Sequence, residues 1–217
     1  GALAGVHFTP PELTELRYAA LLHDFGKVGV RESVLTKRYR VDDTEMALIA
    51  QRFTNFKHLS EISGDQRPIE TLAKESRCPC DADLAALRAA HAEAAEQLED
   101  YLRFVGKVRG LSWLDDDTLA RMRTLGGLSV TTPDGRQLPL LTQPELTNLT
   151  IQKGNLNEEE WQNMRSHAAK SQDYLDQIPW SAELRRIPCF AGMHHEKLNG
   201  SGYPKGIDAD QIPTQVR

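Results

Sequence analysis

The chain has 217 residues, 40% of them hydrophobic and 26% charged, with a formal net charge of -5. That supplies enough apolar residues for the core of one large domain or two small ones. The mild acidity argues against an extended nucleic-acid-binding surface such as one for DNA, which normally needs a basic patch, but leaves room for a small phosphorylated ligand held through cations. The three cysteines, Cys78, Cys80 and Cys189, offer no second pair to complete a zinc knuckle. An odd cysteine count without a signal peptide fits a reducing cytoplasm, where the chain is expected. No apolar run is long enough to cross a bilayer, so a membrane anchor would belong to other parts of a longer protein.

In chain order, Thr9-Pro10-Pro11-Glu12 reads as a helix start with Thr9 as N-cap and Glu12 closing a capping box. Leu13, Leu16, Ala20 and His23 then follow helical spacing, which predicts them on one inward face with Asp24 beside it. Gly26 is the expected stop signal, with Lys27 just past it. Taken alone, His23-Asp24 is either a buried histidine with its carboxylate partner or a pair of metal ligands. Residues 28–37 connect to two helical stripes: Met46, Ile49, Phe53 and Phe56, then Leu84, Leu87, His91, Ala94, Leu98, Tyr101 and Val105. Gly64, Pro68 and Cys78-Pro79-Cys80 predict a break between them, hence an antiparallel helical hairpin. His91 and His58 read as packed core histidines. Asp115-Asp116-Asp117 predicts a helix start, and Ser129 to Leu141, with Pro133-Asp134-Gly135 inside it, a turn and a short hairpin.

Asn157 and Glu160 predict the next helix start. Its buried face is expected to carry Trp161, Met164, Ala168 and Leu175, with His167 pointing inward as a core histidine or a ligand. Ile178-Pro179 ends it, and Leu184, Ile187, Ala191 and His194 or His195 mark another helix starting near Pro188. Gly200, Gly202, Pro204 and Gly206 then form a tight loop whose backbone can approach a ligand. Tyr203 in that loop is suited to stacking or phosphate contact, or to plugging the loop against the helix end.

His23, Asp24, His167, His194 and His195 thus give five potential ligands on helices of an all-α bundle, the arrangement from which such bundles build metal sites. Mixed imidazole and carboxylate donors suit iron, manganese or zinc. Asp24 can bridge two metals, a water held between them would be deprotonated near neutral pH, and Lys27 is near enough to hold a phosphate oxygen. The implied reaction is metal-assisted hydrolysis of a phosphate ester, with Asp24 and Lys27 as its catalytic residues.

His23-Asp24-Phe25-Gly26-Lys27, an isolated helical histidine, and His194-His195-Glu196 leading to Gly202-Tyr203-Pro204 together resemble the HD-GYP family, a branch of the HD phosphohydrolases that cleaves cyclic di-GMP. The resemblance covers roughly residues 9–37 and 151–217. It implies an HD-domain helical bundle, in two parts at 1–37 and 151–217, around a long helical-hairpin insertion at 38–150. It implies a centre of two or three divalent metal ions, commonly iron or manganese, held by His23, Asp24, His167, His194 and His195. Lys27, Gly202, Tyr203 and Pro204 would border a cyclic dinucleotide substrate, converted by a metal-bridging hydroxide to pGpG or GMP. The family also has a histidine, often with a glutamate, further upstream and a ligand aspartate after the Gly-Tyr-Pro loop. Neither has a counterpart here, so the chain is expected to be a piece of the active domain, truncated at both ends. Apolar surface left by the missing parts predicts contact with another chain, such as a homodimer. A catalytically silent dinucleotide sensor or a partner of diguanylate cyclases is the alternative from a different class. An HD hydrolase of other nucleotides is a third, disfavoured by the Gly-Tyr-Pro loop.

Overall fold

The computed structural model describes residues 5–74, 78, 80–132 and 134–217, with side chains outside 60–74. Among the described residues it is all-α apart from one small hairpin, and it divides into two compact units, Gly1–Thr36 with Glu158–Arg217, and Lys37–Asn157.

In the first unit, α1 (Pro10–Leu22) begins where expected: the Thr9 amide and hydroxyl both donate to the Glu12 carboxylate at 2.9 Å. Its inward face is not the expected one. Leu13 is 52% exposed and Ala20 is exposed, while Glu15 and Ala19 are buried. The Glu15 carboxylate accepts from the backbone N and Nε of Arg186, each at 2.9 Å, with Arg186 Nη2 2.7 Å away. Apolar periodicity overlooks a carboxylate that buries itself with its own donors. Glu15→Ala is expected to cost about 2 kcal/mol, less than for a fully buried pair because the Arg186 side chain keeps partial access to water. A lowered denaturant midpoint checks this; an unchanged midpoint would mean the pair adds nothing net.

A 3₁₀ helix (Phe25–Gly29) and the short α2 (Glu32–Leu35) follow α1. α7 (Glu158–Leu175) packs against the 3₁₀ helix and against α8 (Ile187–Met193), which also packs on α1. Ala19, Leu175, Ile187, Phe190 and Ala191 form the apolar centre of this unit. α7 buries His167, Ala168 and Leu175 as expected, but Trp161 is 40% exposed. Pro188 sits in the first turn of α8, where its missing N–H costs no helical hydrogen bond.

In the second unit, α3 (Asp43–Lys74) packs against α4 (Asp81–Arg109). The expected break at Gly64 and Pro68 does not occur, because α3 runs through both. The helix formers Glu70, Leu72, Ala73 and Lys74 follow, and propagation is cooperative once a helix is nucleated. Pro79 and Pro133, named in the breaker and turn predictions, lie outside the described residues. Ile49, Phe53, Phe56, Leu98 and Val105 are buried as their stripes predict, whereas Leu84 is 43% exposed and His58 is exposed, not packed in the core. α5 (Asp116–Gly126) is capped by Asp115, whose carboxylate accepts from the Thr118 amide at 2.7 Å. β1 (Ser129–Thr131) and β2 (Gln137–Pro139) pair antiparallel, Val130 opposite Leu138. α6 (Gln143–Leu149) escaped the sequence reading although Thr142-Gln143-Pro144-Glu145 repeats the Thr9–Glu12 start signal. Glu145 also takes a bidentate pair from Arg52 at 2.7 and 3.0 Å. Among the described residues no helix is long and apolar enough to cross a membrane.

Candidate metal centre

Four segments of the first unit meet at one cluster of imidazoles. α1 ends at Leu22, so His23 sits at its C-cap and Asp24 at the entry to the 3₁₀ helix. Gly26 is not the stop signal of α1. It is buried in the 3₁₀ helix, where an added Cβ would run into the His167 carbonyl oxygen and the Ser171 amide, and within 2.8 Å of Ser171 Oγ. Ser171 Oγ fastens this turn, accepting from the Gly26 amide at 2.8 Å and donating to the His23 carbonyl at 2.7 Å. That lock brings the His23-Asp24 turn against the His167 turn of α7. α8 ends at Met193, so His194 and His195 follow its last turn instead of lying within the helix.

Three histidines share one hydrogen-bonding pattern. His23, His167 and His194 each place Nδ1 within 2.6–2.7 Å of a carbonyl three residues back, Ala20, Met164 and Ala191 respectively. A carbonyl only accepts, so each Nδ1 carries the proton and each neutral ring presents an unprotonated Nε2. Those Nε2 atoms converge on Asp24. His23 Nε2 is 3.3 Å from Oδ2, while His167 and His194 Nε2 are 3.4 and 4.0 Å from Oδ1. His167 and His194 Nε2 stand 3.2 Å apart. The His195 ring lies beside both, its centroid 4.1 Å from that of His194 and 5.0 Å from that of His167. Two overlapping groups therefore present metal-binding atoms, His167-His194-His195 and His23-Asp24-His194.

Lys27 Nζ donates to Asp24 Oδ2 at 2.7 Å. Burial alone would raise the Asp24 carboxyl. The hydrogen bond and the charge of Lys27 outweigh it and hold the group below the usual carboxylate range. Burial pushes His194 below its ordinary value, and burial together with the neighbouring His194 pushes His195 down to about 4. From 6.5, the value for an unperturbed histidine, down to about 4, the unfolded chain binds protons that the folded chain refuses. Stability of the metal-stripped protein is thus expected to be full above pH 6.5 and to fall as pH drops through that window. Denaturant midpoints at about pH 7 and about pH 5 check this; equal midpoints would contradict it.

Tyr203 stacks on His195, centroids 4.5 Å apart, and the guanidinium of Arg165 lies over its ring at 5.8 Å. The loop that carries it is held by Glu196, whose carboxylate accepts from the amides of Lys205, Gly206 and Ile207 at 2.7, 3.2 and 3.1 Å. Gly202 packs so closely that a Cβ there would meet the Lys197 amide and, at 2.5 Å, Glu196 Cα. Gly202 thus serves the loop that presents Tyr203. Ser171, Glu196 and Arg165 were not singled out for roles in the sequence. Ser171 and Glu196 act through backbone groups many residues away, and Arg165 differs from other surface arginines only by its ring neighbours.

Residues 137–217 match the HD domain family, a family that implies divalent metal binding. Two curated proteins of Vibrio cholerae serotype O1 are each similar over about a third of the chain. One is "3'3'-cGAMP-specific phosphodiesterase 3", 38% identical over 73 residues, which are 33% of this chain and 15% of that protein. The other is "Probable cyclic di-GMP phosphodiesterase", 33% identical over 75 residues, 32% of this chain and 17% of that protein. The similarity thus spans less than a fifth of the curated relatives' length. No solved structure matches significantly. The matches support an HD domain over residues 137–217.

Proposed function

We propose that this chain forms the metal-binding part of a cyclic dinucleotide phosphodiesterase of the HD-GYP type, acting on cyclic di-GMP or a relative such as 3'3'-cGAMP. The observation that carries this reading is the pair of facing Nε2 atoms of His167 and His194, 3.2 Å apart. With both Nδ1 protons committed to carbonyls, two lone pairs face each other, an arrangement that a shared cation makes favourable. The donor set of four imidazoles and one carboxylate, with no thiolate among them, fits two divalent ions and suits iron, manganese or zinc. Asp24 directs one oxygen toward His23 and the other toward His167 and His194, which suits a carboxylate shared between the two groups.

When bound, divalent ions supply Lewis-acid catalysis and an activated water nucleophile. The protein residues do the rest. Asp24 and the imidazoles fix the ions. Lys27, held by Asp24, binds a phosphoryl oxygen and offsets the charge that develops on phosphorus. Tyr203 and Pro204 border the substrate. A new P–O bond forms to water while the bond to the 3′ oxygen breaks, leaving a 5′-phosphate and, after proton transfer, a 3′-hydroxyl.

The test is hydrolysis of cyclic di-GMP and 3'3'-cGAMP by protein loaded with Fe²⁺ or Mn²⁺. Linear dinucleotide is expected with metal and none after chelation. Lys27→Ala should lower kcat about 10²-fold or more while metal stays bound. Stoichiometric ligand binding without any product would instead identify a sensor.

A further inference from the structure

Arg165 lies on α7, one helical turn after Trp161 and two residues before His167. Its guanidinium is 5.6 Å from the Trp161 ring centroid and 5.8 Å from that of Tyr203. Tyr203 in turn stacks on His195, so Arg165 is one aromatic ring removed from the imidazole cluster. The neighbouring cations of this unit are already engaged. Lys27 donates to Asp24, Arg31 pairs with Glu159, Lys170 donates to the Gly29 carbonyl and Lys205 to Gln172 Oε1. Among the described residues, Arg165 has no carboxylate or carbonyl partner. It is exposed, as is Trp161, and Tyr203 is half-buried. Two rings thus steady a guanidinium while leaving its N–H donors free, and such a planar fork matches a phosphate in two-point contact. Ordering a long side chain in advance also lowers the entropy cost of using it.

A cyclic dinucleotide carries two phosphates, and the metal centre with Lys27 engages only the one being cut. We propose that Arg165, braced by Trp161 and Tyr203, is a substrate-positioning residue that grips the second, uncut phosphate and so sets the preference for dinucleotides over simple phosphodiesters. This inference rests on the phosphodiesterase reading above.

The experiment compares wild-type protein, Arg165→Ala, Arg165→Lys and Trp161→Ala on cyclic di-GMP, 3'3'-cGAMP and bis(p-nitrophenyl) phosphate, which has one phosphate. Arg165→Ala is expected to raise KM for both dinucleotides about tenfold or more, with kcat within about twofold, the pattern of lost uniform binding. Its kcat/KM preference for dinucleotides over bis(p-nitrophenyl) phosphate should fall by the same factor. Arg165→Lys, a point charge without the fork, restores part of it, and Trp161→Ala shows a smaller loss in the same direction. Calorimetric binding of cyclic di-GMP to the metal-stripped protein should weaken in parallel. Unchanged dinucleotide KM, an equal loss on all three substrates, or a loss confined to the ligand richer in guanine, which would indicate a base contact, overturns the assignment of Arg165 alone. Wild-type protein that cleaves none of the three when metal-loaded overturns the phosphodiesterase reading and this inference with it.

Discussion

Asp24→Asn is expected to abolish both metal retention and phosphodiester hydrolysis. Asp24 is the carboxylate on which three imidazoles converge, with Nε2 atoms of His23, His167 and His194 between 3.3 and 4.0 Å from its oxygens. Asparagine keeps the shape and removes the charge. Two cations would then share imidazoles alone, and Lys27, 2.7 Å from Oδ2 in the native protein, would lose its ion-pair partner and point its charge at the same site. The loss in kcat/KM should reach about 10³-fold, or about 4 kcal/mol of transition-state stabilisation. The fold should survive, because Asp24 is only partly buried. Kinetics, metal content and circular dichroism on one preparation check this. Wild-type turnover by the asparagine variant would remove Asp24 from the centre.

Gly26→Ala should have an effect of similar size by a different route. The new methyl group would overlap the His167 carbonyl and the Ser171 amide, both in the backbone of α7. Neither has a rotamer to move into, so the clash is relieved only by separating the 3₁₀ helix from α7. That movement breaks the Gly26–Ser171–His23 hydrogen bonds and parts Asp24 from His167. The expected cost is about 3 kcal/mol or more, seen as a lowered thermal midpoint, together with loss of metal affinity. Ser171→Ala removes the hydrogen bonds without the clash and should be milder, about 1–2 kcal/mol. A Gly26→Ala protein with native stability and full metal content would show that this close approach does not position the site.

The residue types of the clustered side chains were legible in the sequence, because an aspartate and histidines at helix ends, with His167 in the middle of α7, are chemically conspicuous. Their supports were not. The capping motif of α1 was readable, but its inward face was misjudged, since Glu15 is buried by a pairing with Arg186 about 170 residues away. Helical spacing counts apolar residues and cannot see a distant donor. Gly26 reads as a helix terminator in local terms and proves to be a contact point between two backbones. Trp161 reads as core by its hydrophobicity, yet it stands exposed beside Arg165. Pro68 reads as a break, yet the favourable residues after it carry α3 on. In each case a tertiary contact, or a cooperative helix, prevailed over the local signal.

The account rests on His167, His194 and Asp24 sharing cations. Elemental analysis of protein loaded with Fe²⁺ or Mn²⁺ and then desalted tests this most directly. Two divalent ions per chain are expected, one for each of the overlapping donor groups. Protein that keeps its fold and retains no metal would contradict it.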